Sequence, residues 1–271
     1  MQIGWHENML NSEYHASIGL SSTQVKDLIK SGRRFKEKHL DGGKRKKDDL
    51  NPNFMFGSLF HMRLLEGPKV LDQNIWNYGQ KPNLRSNLGK LKWENITKEY
   101  LLRREENPDL LMCSDEELLQ IETMASRVLD KEEVAKFLMG KNSLKEKSGY
   151  WEDPETGVLC KLRTDLYVPE EGVILDVKTA YSAERADFEG AISKYGYDIS
   201  ASFYCEGVRA IDGILPKFII VAVGKRGNHT VNTFEIPEER LIRGKRLIEQ
   251  ALIRYKHGME TGEWPDFELE E

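Results

Sequence analysis

The spacing of apolar positions changes along the chain, and the change separates two regions. Up to about residue 140 the apolar residues recur with a helical period. Ser21 or Ser22 stands where a helix N-cap belongs and predicts a short helix through Lys30. The run NFMFGSLFHMRLLE predicts a helix from Phe54 to Glu66, stopped by Gly67-Pro68. Ser114 with Glu117 three residues later forms a capping-box signature, opening a helix that runs to about Val128. A second helical stretch covers Lys131 to Gly140, while residues 70–113 mix polarity with turn formers and predict no clear element. No internal repeat is visible.

Near Tyr150 the period becomes two. VLCKLRTDLYV (158–168), the turn Pro169-Glu170-Glu171-Gly172 and VILDVKT (173–179) predict a β-hairpin. Helices from about Ala183 to Tyr195 and from Ile199 to Ile211 follow. Two strands, KFIIVAVG and HTVNTFEI, then flank a turn at Arg226-Gly227-Asn228. A last amphipathic helix runs from Pro237 to Gly258, with the proline suited to the first helical position. This order predicts an α/β fold bordering on α+β: a central mixed sheet flanked by helices, with an N-terminal helical lobe. The expected organisation is one unit, residues 1–271, whose mainly helical part (1–145) carries His61 and whose core is 146–271.

Composition narrows the setting. A 271-residue chain that is 39% hydrophobic and 31% charged describes an ordinary soluble protein. No apolar run approaches the ~20 residues of a membrane span, and MQIGWHENML lacks a signal-peptide layout. Three widely spaced cysteines, Cys113, Cys160 and Cys205, fit reduced thiols in the cytoplasm and cannot ligate a four-cysteine iron–sulfur cluster. A net charge of −5 argues against broad nonspecific binding of polyanions but leaves room for a locally basic groove.

The hairpin carries the candidate chemistry. In the simplest register Val168 faces Val173, and counting back places Asp165 opposite Asp176. Like charges at cross-strand positions, with Cβ atoms ~4.5–5.5 Å apart, are unfavourable unless a cation lies between them. Lys178 shares the face of Asp176 by the period of two. Mg²⁺ and Mn²⁺ prefer oxygen ligands, so Asp165, Asp176 and the Val177 carbonyl form a candidate metal site. Lys178 would offset negative charge developing near it. The same residues also fit an exposed strand face with an incidental ion pair. His61 is open to both a packing and a ligand role, with Gly57 one turn before it permitting close approach. Glu146 and Glu152, just upstream of the first strand, read singly as solvated glutamates. Tyr195, Tyr197 and Tyr204 cluster at a helix junction, where packing accounts for at least one of them. Lys44–Lys47 reads as a solvated, charged loop.

Several ordered motifs share a further likeness. They are Tyr14-His15 with Leu20-Ser21-Ser22; Gly57-Ser58-Leu59-Phe60-His61 with Glu66; and Trp151-Glu152-Asp153-Pro154-Glu155-Thr156-Gly157 leading into Cys160-Lys161-Leu162-Arg163-Thr164-Asp165. They continue through Leu175-Asp176-Val177-Lys178-Thr179, Tyr195-Gly196-Tyr197, the helix with Ala201, Phe203 and Tyr204, and Trp264-Pro265. Together they resemble the RecE-type exonuclease VIII proteins of the PD-(D/E)XK superfamily, in its RecB-like branch. Two positions depart from that pattern. Thr164 stands where many members have proline, and Ser200 where they carry the glutamine of Gln-x-x-x-Tyr.

The resemblance implies a PD-(D/E)XK nuclease core with His61, Asp165, Asp176 and the Val177 carbonyl binding metal, and Lys178 assisting the nucleophile. It implies DNA contacts from Tyr204, at position Ser200, and from Glu152, with Lys161 and Arg163 as channel-lining candidates. The implied activity is a 5′→3′ exodeoxyribonuclease of the two-metal type on linear double-stranded DNA. It would use Mg²⁺, with Mn²⁺ able to substitute and no iron–sulfur cluster, and leave 3′ single-stranded tails for phage-type recombination. The implied partners are double-stranded DNA ends, a single-strand annealing protein and further copies of the chain in a homo-oligomeric ring, with no membrane. The alternatives are a RecB- or Cas4-like nuclease of other polarity, or a non-catalytic DNA-end-binding subunit.

Overall fold

The computed structural model describes residues 1–42 and 50–269, so the Lys44–Lys47 run lies outside the described residues. The chain begins with β1 (Gly4–His6), α1 (Asn11–Ala16), α2 (Ser22–Lys30) and α3 (Gly32–His39). α4 (Pro52–His61) runs into a π-helical turn at Met62–Glu66, followed by α5 (Pro68–Asn74) and β2 (Ile75–Asn77). α6 (Asn87–Glu106), β3 (Leu111–Cys113), α7 (Asp115–Leu129) and α8 (Glu132–Leu138) complete the first half. Then come β4 (Leu144–Glu152), β5 (Leu159–Val168), β6 (Val173–Ala180), α9 (Arg185–Tyr195), α10 (Tyr197–Asp212), β7 (Lys217–Gly224), β8 (Val231–Glu235) and α11 (Glu238–Thr261). The fold is the expected mixed α/β arrangement, a central mixed sheet with helices on both faces.

The local signals explain most boundaries. Ser21 and Gln24 close a capping box on α2, as Ser114 and Glu117 do on α7. Pro237 is the N-cap of α11 rather than its first helical residue. The Phe54–Glu66 helix is realised as α4 plus the π-turn, the sort of local widening that often marks a functional site.

The six-stranded sheet has the order β1-β4-β5-β6-β7-β8. The β5–β6 hairpin has the predicted register at its turn, Val168 against Val173, and β6 then pairs in parallel with β7 through the α9–α10 crossover. One core layer on the sheet gathers Leu28, Trp151, Phe203, Ile220 and Leu252, joining α2, α10 and α11 to the strands. The opposite layer gathers Phe60, Leu65, Met124, Leu175 and Val221, bringing α4, the π-turn and α7 onto the other face. Gly207 lets α10 lie directly on the sheet, because a Cβ there would stand 2.7 Å from the Trp151 ring. Gly57 plays no such part: a Cβ there would meet Thr179 at an ordinary 3.8 Å.

The site depends on an irregularity in β4 and β5. Cys160, Leu162 and Tyr167 on β5 all belong to the first core layer, whereas Leu166 belongs to the second. The period of two therefore changes phase between residues 162 and 166. β4 changes with it, since Trp151 and Leu144 both meet the first layer. The ladder runs through Lys145–Leu166 and Lys147–Thr164 but omits the opposed pair Glu146 and Asp165. Glu146 is left-handed at φ 48°, a conformation that costs a non-glycine residue ~1–3 kcal/mol. The dislocation turns two facing carboxylates out of the regular pleat. It also corrects the expected strand pairing: Asp165 does not lie across from Asp176 in the ladder, because β5–β6 pairing ends at Leu166–Leu175. Beyond that pair the Asp165 carboxylate itself accepts the Val177 N–H at 2.7 Å.

Candidate active site

Strand β6 supplies the centre of the site. After Leu175 it loses β5 as a ladder partner, so its edge is open to side chains from both layers. Ile174 faces the first layer and Leu175 and Val177 the second, so the alternation places Asp176 and Lys178 on the α10 side. His61 arrives from the other side at the end of α4, and its Nε2 lies 2.9 Å from the Val177 carbonyl oxygen.

His61, Glu146 and Asp165 form one donor group, with one ligand atom from each lying within 4.8 Å of the others. His61 Nδ1 is 3.6 Å from an Asp165 oxygen. When Nε2 donates to Val177, a neutral imidazole presents its Nδ1 lone pair to the carboxylates. Three electron-pair donors then converge with no proton donor among them. A hard divalent cation satisfies such a set, and one imidazole with two carboxylates suits Mn²⁺ or Mg²⁺. Glu146 is held by Arg163, whose Nε donates at 2.7 Å and whose Nη1 also donates to Ser148 and to the Met9 carbonyl. Burial, and then the neighbouring Asp165, push the Glu146 carboxyl above its usual range in spite of Arg163.

Asp176 and Lys178 make the second half of the site. Asp176 is 7% exposed, and its Oδ2 lies 2.6 Å from Lys178 Nζ. The ammonium also donates to the Val177 carbonyl at 3.3 Å. Burial acts against the charged lysine, but Asp176 and then Asp165 outweigh it and raise Lys178 above the ordinary lysine range. Burial raises Asp176 as well, with Asp165 adding to the effect and Lys178 opposing it. Glu146, Asp165 and Asp176 set three carboxylates against two cations, Arg163 and Lys178, an excess of negative charge that a cation relieves.

The expected residues are therefore partly gathered and partly separated. His61 and Asp165 meet Glu146, while Asp176 pairs with Lys178 and stands outside that donor group. The Val177 carbonyl, an expected ligand, is turned to His61 and Lys178. Tyr204 lies beside the site on α10: burial, followed by Asp176 and Asp165, raises its phenol above the usual tyrosine range. Ser200 donates to the Gly196 carbonyl of its own helix at 3.3 Å.

Three other expected contacts are relocated. Lys161 is 4% exposed and donates to the Tyr14 and Ser17 carbonyls at 2.9 and 2.6 Å, so its ammonium braces the N-terminal segment and faces no channel. Arg163 is committed to Glu146. Glu152 is exposed opposite Leu159, six residues and about 20 Å along β4 from Glu146. The residue that inspection of single positions misses is Glu146. Its available signal is register, because pairing 144–152 with 159–168 around the 153–158 turn puts residue 146 opposite residue 165.

An open-edged mixed sheet with paired acids and a lysine on its central strand defines a PD-(D/E)XK fold. Residues 21–268 match the profile of the PDDEXK-like domain of unknown function DUF3799, and the chain belongs to that family. A crystal structure of a candidate exonuclease from Eubacterium rectale superposes with a TM-score of 0.62 at 21% identity, covering 95% of this chain and 88% of that one. That likeness is one of fold. A phage-related exonuclease from Haemophilus somnus gives a TM-score of 0.31 at 15% identity over 52% of this chain and 73% of its own, too low to indicate a shared fold. No curated protein sequence matches the chain. Among the described residues no helix is long and apolar enough to cross a membrane.

Proposed function

We propose that this protein is a metal-dependent nuclease, and specifically a 5′→3′ exodeoxyribonuclease on linear double-stranded DNA of the RecE type. The observation that carries the reading is the His61–Glu146–Asp165 donor group standing beside the Asp176–Lys178 pair on β6. These donors would hold Mg²⁺ or Mn²⁺, which when bound supplies Lewis-acid stabilisation of phosphate charge and a more acidic water.

The chain's own groups have separable tasks. Val177 fixes His61 through its carbonyl and Asp165 through its N–H, so the backbone of one residue orients two donors. Arg163 keeps Glu146 aimed at the same point. Asp176 holds the Lys178 ammonium charged and in place, where it lowers the cost of negative charge growing on a phosphate oxygen. Tyr204 closes the α10 side. Backbone phosphate, not base edges, is what such groups recognise, so sequence preference is not expected.

The polarity, the 3′-tailed product passed to an annealing protein and the assembly of copies into a ring around duplex DNA form the finer part of this proposal. They rest on the ordered motif resemblance. The test is digestion of linear duplex labelled separately at each 5′ end, with Mg²⁺ or EDTA, alongside closed circles. Release of the 5′ label only in Mg²⁺, from ends only, and its loss in folded Lys178→Met, is the expected outcome. Hydrolysis in EDTA would remove the metal mechanism, and cutting of circles would replace the exonuclease with an endonuclease.

A further inference from the structure

A groove of about 540 Å³ opens between α2, the α9–α10 junction and α11. Its wall carries Lys26, Lys30, Lys194 and Arg243, together with Tyr195. The acidic residues in it are Asp198 and Glu268. Asp198 is buried and lies 3.7 Å from Arg243, while Glu268 sits at the exposed rim. The groove is thus locally cationic on a chain whose net charge is −5.

A row of rings and ammonium groups joins it to the site. Lys178 lies 5.8 Å from the centre of the Tyr197 ring. Tyr197 lies 5.6 Å from Tyr195, and Lys194 is 5.5 Å from the centre of the Tyr195 ring. Tyr195 is 54% exposed at the end of α9, so one side of the row is open to solvent. Lys26 closes the row from α2, donating to the Tyr195 carbonyl at 3.3 Å.

We propose that this groove carries a single-stranded stretch of the substrate, with an unpaired base stacked on Tyr195 and backbone phosphates against Lys26, Lys30 and Lys194. The proposal rests on the nuclease reading and extends it to the path of the strand leaving the site. An exposed aromatic within a basic track is the combination that binds single strands without regard to sequence, whereas bases inside a duplex have no free face to offer a tyrosine. The volume falls in the ~300–1,000 Å³ range of small-ligand sites, enough for roughly one or two nucleotides. Lys26 is suited to a phosphate partner: burial, and then repulsion from Lys178, lower its pKa to about 8. Asp176 and Asp27 oppose the shift without cancelling it, and each already has partners, Lys178 for Asp176 and Lys38 and His39 for Asp27.

The test is fluorescence anisotropy of a short labelled single strand and of a blunt duplex in EDTA, across a salt series, with hydrolysis measured separately in Mg²⁺ and Mn²⁺. Each phosphate contact to a single strand contributes ~0.7 to the slope of log affinity against log salt, so Lys26→Gln/Lys30→Gln/Lys194→Gln should flatten it by about 2. Tyr195→Ala should weaken single-strand binding roughly five- to a hundredfold, and Tyr195→Phe should restore it. These side chains line the surface, and unchanged circular dichroism checks that each variant is folded. An unchanged slope in the triple variant, wild-type affinity in Tyr195→Ala, or wild-type binding of blunt duplex without single strand each overturns the groove. Expected binding without hydrolysis by the wild type leaves the groove standing and removes the nuclease reading. Hydrolysis with unaltered binding in the variants does the reverse.

Discussion

Asp165→Asn separates a metal-binding carboxylate from a structural one. The amide keeps the shape of the side chain and an oxygen that accepts the Val177 N–H, now 2.7 Å from Asp165. It removes one negative charge from a group in which the Glu146 and Asp165 ligand oxygens stand within 4.8 Å. At that distance two full charges repel by about 3 kcal/mol at an effective dielectric constant of ~20. Arg163 and the raised Glu146 carboxyl already relieve part of this. Losing the charge assistance to the Val177 hydrogen bond costs about 1 kcal/mol. In EDTA the variant should therefore be as stable as the wild type, or up to about 2 kcal/mol more stable. With Mn²⁺ at a hundred times its dissociation constant the wild type should gain ~2.7 kcal/mol, a rise of roughly 5–10 °C in melting temperature. Asp165→Asn should gain little. Thermal melts in EDTA, Mg²⁺ and Mn²⁺ measure both effects without reference to activity. A wild type indifferent to the metals, or an Asp165→Asn melt several degrees lower in EDTA, would show that the carboxylate serves packing and not an ion.

Two further outcomes test the scaffold around the site. Burial alone would raise Asp27, but its hydrogen bonds to His39 and Lys38 hold its carboxyl down to about 2. The drop from 3.8 is worth about 2 kcal/mol, present above pH 3.8 and lost as pH falls through 3.8 towards 2. Asp27→Asn should thus lower stability by about that amount at pH 7 in denaturant titrations and cost almost nothing near pH 2; an equal loss at both pH values contradicts the assignment. Lys161→Met should remove the ammonium that donates to the Ser17 carbonyl and shares the Tyr14 carbonyl with Ser17, and cost ~1–3 kcal/mol, with unchanged salt dependence of DNA binding. A flattened salt slope would instead put Lys161 on the DNA.

The division between sequence and structure follows from the range of the interactions. Capping at Ser21 and Ser114, the hairpin turn at residues 169–172 and the strand identity of residues 173–179 are set within a few residues, and the pattern shows them directly. The sequence by itself therefore determined the fold class and brought His61, Asp165, Asp176 and Lys178 forward as candidates. It did not show that β5 leaves β6 after Leu166, because counting along a ladder assumes an unbroken pleat. Glu146 became visible only when β4 was placed against β5, where a left-handed residue turns it towards Asp165 and His61. Lys161 and Arg163 look like free cations along the chain, but their partners are the distant Tyr14, Ser17 and Met9 and the neighbouring-strand Glu146. Tertiary structure decided which charges were already spent on the fold and which remained for a ligand, because a charge's partner depends on proximity in space and the local pattern records only neighbours in sequence.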